Sequence, residues 1–70
     1  MLNIIAYRDQ TGKDFNGTPW LHITSDDIEA AKRHTKDLAA LYKDVILFSC
    51  KDEELPEVVS WDFVYKYKIF

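Results

Sequence analysis

The segment from Val58 to Phe70 alternates almost without a break, and this pattern constrains the fold more than any other in the chain. In an extended backbone Val59, Trp61, Phe63, Tyr65, Tyr67 and Ile69 point one way. Val58, Ser60, Asp62, Val64, Lys66 and Lys68 point the other. A two-residue period in side-chain direction belongs to β-structure, so the pattern predicts one long strand with a strongly aromatic face. That face carries more apolar surface than so small a chain readily hides.

The chain has 70 residues, which is room for a single domain, 1–70, with one core. Apolar residues make up 47% and aromatic residues 14%, so a packed fold is expected rather than disorder. Domains of this size often lean on a disulfide, a metal or a partner. Cys50 is the only cysteine, which rules out a disulfide within the chain. It reads as a small buried hydrophobe near a strand end, in keeping with a reducing compartment. Met1–Tyr7 is apolar but too short for a secretory signal, and no stretch has membrane-spanning length. The expected location is cytoplasmic, in a cell or an infected host.

The net charge of −3 is unevenly placed. Arg8 and Lys13 balance Asp9 and Asp14 in the first part of the chain. The deficit lies in 45–57, where Asp52, Glu53, Glu54 and Glu57 face only Lys51. Broad attraction to nucleic-acid phosphates is therefore not expected.

Leu2–Tyr7 reads as a first strand. Asp9–Pro19 is dense in turn residues, and Asn16-Gly17 favours a tight turn with positive φ, so this stretch is an elaborated hairpin connection. Trp20–Thr24 is a second strand with Leu21 and Ile23 on one face. A helix of roughly 18 residues follows, capped by Thr24 or Ser25, with acidic residues in its first turn and Lys43 in its last. Leu38, Ala31, Tyr42, Thr35, Ile28 and Ala39 form its apolar stripe. Val45–Cys50 is a third strand, Lys51–Glu57 an acidic loop, and the long aromatic strand completes the order. The expected fold class is α+β: ββαββ, a four-stranded, mostly antiparallel sheet with one helix packed on one face. The other face then meets water or a partner.

The residues carry no enzymatic signature. The two glycines sit in separate turns, so there is no phosphate loop, and neither a nucleophile elbow nor a His-Glu zinc motif occurs. His22 and His34 do not pair at a ligand spacing. Asp26 and Asp27 serve the helix N-terminus. No catalytic residue, metal or cofactor is expected. Lys32, Lys36 and Lys43 form a basic helix ridge, which supports an alternative reading as a small nucleic-acid-binding module. A solvated helix face explains the same lysines, and nucleic acid is the less favoured partner.

The aromatic surplus points to protein partners instead. Two modes of docking are open. One uses Tyr7, Trp20 and the tail with Tyr65, Tyr67 and Phe70, where the final strand is expected to outrun its neighbours and offer an unpaired edge. The other uses Asp52, Glu53, Glu54 and Glu57 as mimics of DNA phosphates. Self-association as a homodimer is a further alternative.

Leu21-His22-Ile23-Thr24-Ser25-Asp26-Asp27-Ile28-Glu29-Ala30-Ala31 resembles the strand-into-helix passage of small phage-encoded host-takeover or anti-defence proteins. The resemblance covers residues 1–50, and the 58–70 segment has no counterpart in it. It implies a non-enzymatic inhibitor or modulator that binds a larger host macromolecule, such as a polymerase or a defence nuclease. An anti-CRISPR protein is one example. No binding residue is carried over from the family.

Overall fold

Leu2–Arg8 forms strand β1, and its alternation places Ile4 and Ala6 on one face and Ile5 and Tyr7 on the other. Ile4, Ile5 and Ala6 are all completely buried, so both faces of this strand are covered. Such burial belongs to a central strand. In the computed structural model, which describes residues 1–70, β1 lies between β2 (Trp20–Ile23) and β3 (Lys43–Cys50), antiparallel to both. Ile4 stands between Ile23 and Phe48, and Ala6 between Leu21 and Ile46.

The connection between β1 and β2 is the elaborated hairpin expected from its turn residues. Phe15 and Thr18 exchange both backbone hydrogen bonds, at 2.8 and 2.9 Å, around Asn16 and Gly17. Asn16 has φ 52° and Gly17 φ 82°, the positive pair that a two-residue hairpin turn requires. Asp9 shapes the preceding turn, its Oδ1 accepting from the Thr11 N–H, the Thr11 hydroxyl and the Lys13 N–H. At the same end of the sheet the β1–β3 register shifts between Ala6 and Arg8, where Asp44 adopts φ 52°. That irregularity turns Asp44 Oδ2 to within 3.0 Å of Arg8 Nη1.

Helix α1 spans Ile28–Ala39 and is shorter than the sequence suggests. Its cap is Asp27, whose Oδ1 accepts from the Glu29 N–H at 3.0 Å, not Thr24 or Ser25. Thr24 still belongs to the sheet, since its N–H donates to the Asn3 carbonyl at 2.9 Å. Ser25 instead supports the cap, its hydroxyl accepting from the Asp27 N–H. The helix ends before Tyr42, and Lys43 opens β3 rather than closing the helix. Ala31 and Thr35 face the sheet, and Ile28 and Leu38 pack with Ile5, Leu47, Tyr7 and Val45. Ala39, placed in that stripe by periodicity, is exposed.

The opposite sheet face corrects the expected fourth strand. Trp61–Lys66 is a short helix, α2. Ser60 caps it, its hydroxyl accepting from the Phe63 N–H at 3.1 Å. Asp62 in the first turn and Lys66 in the last suit the helix dipole. The aromatic alternation does not exclude this, because residues 61, 63, 65 and 67 also contain two i, i+4 pairs. The Trp61 and Tyr65 rings lie 6.3 Å apart, and those of Phe63 and Tyr67 4.7 Å apart. A four-residue spacing meets its partner on one helix face, so the same residues satisfy either period. The cap and the placement of charge decide for the helix.

Val64, assigned by alternation to the outer face, is fully buried. With Val59 it packs on Ile4, Ala6, Ile46, Phe48 and Cys50, while Trp61, Phe63, Tyr67 and Leu55 close the rim. Beyond α2 the chain returns to β3: Ile69 N–H donates to the Leu47 carbonyl at 2.8 Å, and Ser49 N–H to the Tyr67 carbonyl at 3.3 Å. The molecule is therefore an α+β fold with a three-stranded antiparallel sheet, order β2-β1-β3, covered by α1 on one side and by the 59–67 segment on the other. Central and β3 residues are buried on both faces. All four residues of β2 are exposed.

Candidate functional site

β2 is an edge strand, and its apolar side chains Leu21 and Ile23 are left open to solvent. The Thr24 N–H points at Asn3, and hydrogen-bonded and non-bonded positions alternate in an antiparallel pair. His22 and Trp20 therefore share the inward ladder with Ile5 and Tyr7, while the N–H and C=O of Leu21 and Ile23 face outward. Pro19 ends this free edge because it has no N–H.

The side chains of Leu21 and Ile23 lie on the same sheet face as their partners Ala6 and Ile4. The 59–67 segment covers those partners but stops short of β2, leaving Leu21 41% and Ile23 66% exposed. Phe15, at 54% exposed, and Val58, at 69%, share one lining with Leu21. A groove of about 400 Å³ runs here. Phe15, Asn16, Thr18, Pro19 and Leu21 line it from the hairpin and β2, and Glu57, Val58 and Val59 from the approach to α2. Glu57 is the only charged residue in this lining.

The acidic segment leading to the groove is ordered by its own carboxylates. Asp52–Glu54 forms a single 3₁₀ turn. Glu54 Oε1 accepts from the Lys51 N–H at 3.0 Å, and Oε2 accepts from the Tyr67 hydroxyl at 2.9 Å. The Lys51 bond, then the Tyr67 bond, hold the Glu54 carboxyl below its ordinary range. Glu54 in turn pushes the Tyr67 hydroxyl up. Asp52 and Glu53 are exposed.

The residues proposed from sequence for partner binding fall into separate places. Trp20 stacks on Phe15, ring centres 5.2 Å apart, at the groove end of β2. Glu57 lines the groove itself. Tyr7 is half-buried, its ring 4.6 Å from that of Tyr42 beside α1. Glu54 and Tyr67 bind each other, and Tyr65 is exposed on α2. Phe70 lies over α1, 6.0 Å from Lys32 Nζ and 5.7 Å from Lys36 Nζ. The tail is thus not the unpaired edge that a protruding final strand would provide, because residues 67–70 are bonded to β3. The basic ridge is also divided: Lys32 and Lys36 share Phe70, while Lys43 pairs across from Arg8 on β3.

Two further groups carry chemistry. His22 and His34 meet edge to face, ring centres 4.7 Å apart, and His34 Nδ1 lies 2.9 Å from the Thr24 hydroxyl. No three of the His, Cys, Asp and Glu side chains converge as metal ligands. Cys50 is buried, and burial first, then the Glu54 and Asp52 carboxylates, push its thiol up. No helix is long and apolar enough to cross a membrane.

Phe15, Leu21, Ile23 and Val58 are the apolar site residues that sequence reasoning missed. Phe15 adjoins the Asn16-Gly17 turn, and Val58 follows Pro56, so each is held in an extended or turning backbone with no regular element to bury it. Comparison with protein-family models found no match, and comparisons with curated proteins and with solved structures found none either.

Proposed function

We propose that the protein is a non-enzymatic binding module that docks on a larger protein and modulates it. One observation carries this reading: Phe15, Leu21 and Val58 line an uncovered apolar groove that Ile23 extends along a free sheet edge, on a molecule whose central strand is covered on both faces. Scattered exposed apolar groups are ordinary, but contiguous ones on one side of a small domain mark an interface. The strand-into-helix passage at residues 21–31 resembles phage host-takeover and anti-defence proteins, so a host polymerase or defence nuclease is the proposed class of target.

Site-specific photo-crosslinking in the cell tests the reading. A photoreactive amino acid at position 58 is expected to give one discrete protein adduct, and the same residue at exposed position 33 none. Equal adducts from both positions, or none from position 58, would contradict it. An oligonucleotide anisotropy titration addresses the rival use of Lys32, Lys36 and Lys43. Micromolar single-strand binding lost on replacing these lysines would make the protein a nucleic-acid module instead.

A further inference from the structure

We infer that the partner supplies an extended, basic segment that adds to the free edge of β2 as a fourth strand. This deepens the protein-docking reading and rests on it. The backbone fixes the shape of the occupant. The N–H and C=O of Leu21 and Ile23 face outward in line, and only an extended chain presents complementary groups at that repeat.

The groove fixes its side chains. A strand laid along β2 alternates direction, so every second side chain falls on the Leu21 and Ile23 face, toward Phe15 and Val58. Those positions call for apolar residues. Charge fixes the rest. Glu57 is the only charged side chain in the lining, and the acidic stretch with Asp52 and Glu53 leads into it. Lysine or arginine flanking the apolar positions meets this field, and an acidic segment is repelled by it.

A second copy of the chain fits less well. Edge-to-edge pairing of two β2 strands matches four residues with four, over roughly 14 Å. That is a short seam against the ~1,000 Å² a stable interface buries. It also joins two molecules that each carry a net charge of −3.

The test is an NMR titration of the intact protein with two short acetylated, amidated peptides that share an alternating valine–threonine core, one flanked by lysines and one flanked by glutamates. The lysine peptide is expected to saturate, to shift the Leu21 and Ile23 amides first, and to bind about tenfold more tightly than the glutamate peptide. Ile23→Pro removes an outward N–H without removing a bond to β1, and is expected to weaken binding about tenfold or more. Glu57→Lys, which leaves the edge intact, is expected to erase the preference for the lysine peptide. Failure of the lysine peptide to saturate by about 1 mM overturns the inference, as do shifts centred away from β2. So does a dimer of the free protein that Ile23→Pro dissolves, since the second copy is then the occupant. A position-58 crosslink that persists in Ile23→Pro sinks strand addition while leaving the docking reading in place.

Discussion

The guanidinium of Arg8 lies over the indole of Trp61, 4.1 Å from the ring centre, and ties the end of β1 to the start of α2. The same side chain reaches Asp44 at 3.0 Å and Asp14 at 3.6 Å. Asp14 closes the circuit by accepting from Trp61 Nε1 at 3.1 Å. One arginine on β1 therefore joins the hairpin connection, β3 and α2. Lysine in its place keeps the charge but loses the flat stacking surface and the fork of donors. Arg8→Lys is expected to cost about 1 kcal/mol and Arg8→Ala about 2 kcal/mol, read by urea unfolding followed through tryptophan fluorescence. No change in either variant would show that α2 is held without this clamp.

Val64 and Tyr65 separate the helical from the extended form of the last segment. Val64 is fully buried and Tyr65 is 55% exposed, the reverse of the strand pattern. Val64→Gln places an amide in an apolar layer and is expected to cost about 3 kcal/mol. Tyr65→Gln is expected to cost no more than about 1 kcal/mol. Thermal unfolding of the two variants side by side measures this. A larger loss for Tyr65→Gln would restore the long strand.

Asn3 performs the equivalent task at the other end of the sheet. It is 6% exposed, and its Nδ2 donates to the Ser25 carbonyl at 2.8 Å and to the Asp26 carbonyl at 3.3 Å. Its Oδ1 accepts from the Ser49 hydroxyl. These bonds fix the approach to α1 against β1 and β3. Asn3→Ala strands their partners and is expected to cost about 2 kcal/mol. Combined with Ser49→Ala, the loss should fall short of the sum by about 1 kcal/mol, because the two share a bond. Strict additivity in denaturation would contradict that link.

Glu54 and Tyr67 form a pH-sensitive contact with two limbs. The folded state lowers the Glu54 carboxyl, so the contact's stability is present above the ordinary glutamate range and is lost as pH falls through the folded value. The folded state raises the Tyr67 hydroxyl, so stability is present below the ordinary tyrosine range and is lost as pH rises through the folded value. Tyr67→Phe is expected to flatten the alkaline limb of melting temperature against pH and to soften the acid limb. Glu54→Gln is expected to reduce the acid limb, and the Asp9 carboxyl, held below its ordinary range first by the Thr11 hydroxyl, supplies the remainder. Unchanged limbs in both variants would show that the pair does not couple to folding.

How far the sequence reveals the fold depends on whether the deciding interaction is local. The Asn16-Gly17 turn is specified by two adjacent residues that tolerate positive φ, and it forms as read. The stripe of Ile28, Ala31, Thr35 and Leu38 is likewise set by one period and buried on one sheet face. The helix start is not legible locally, because Thr24 can cap a helix or join the ladder, and its bond to Asn3 lies 21 positions away in sequence. The 58–70 segment reads as a strand because its aromatic spacing serves both periods. The choice between them rests on Ser60 and on the Arg8–Trp61 stack. The apolar groove was the least legible part. It exists only where the hairpin turn and the approach to α2 converge, and neither Phe15 nor Val58 signals that meeting alone.

Residue-resolved amide hydrogen exchange tests most directly whether the last segment closes the sheet and leaves β2 open. The Val64 and Tyr67 amides, bonded to Ser60 and Phe63 carbonyls within the helix, and the Ile69 amide, bonded to Leu47, are expected to exchange slowly. On β2, Thr24, bonded to Asn3, is expected to be protected while Leu21 and Ile23 exchange freely. Slow exchange at alternate residues throughout 59–69, or protection of the Leu21 and Ile23 amides in the monomer, would contradict both the fold of that segment and the free edge proposed for binding.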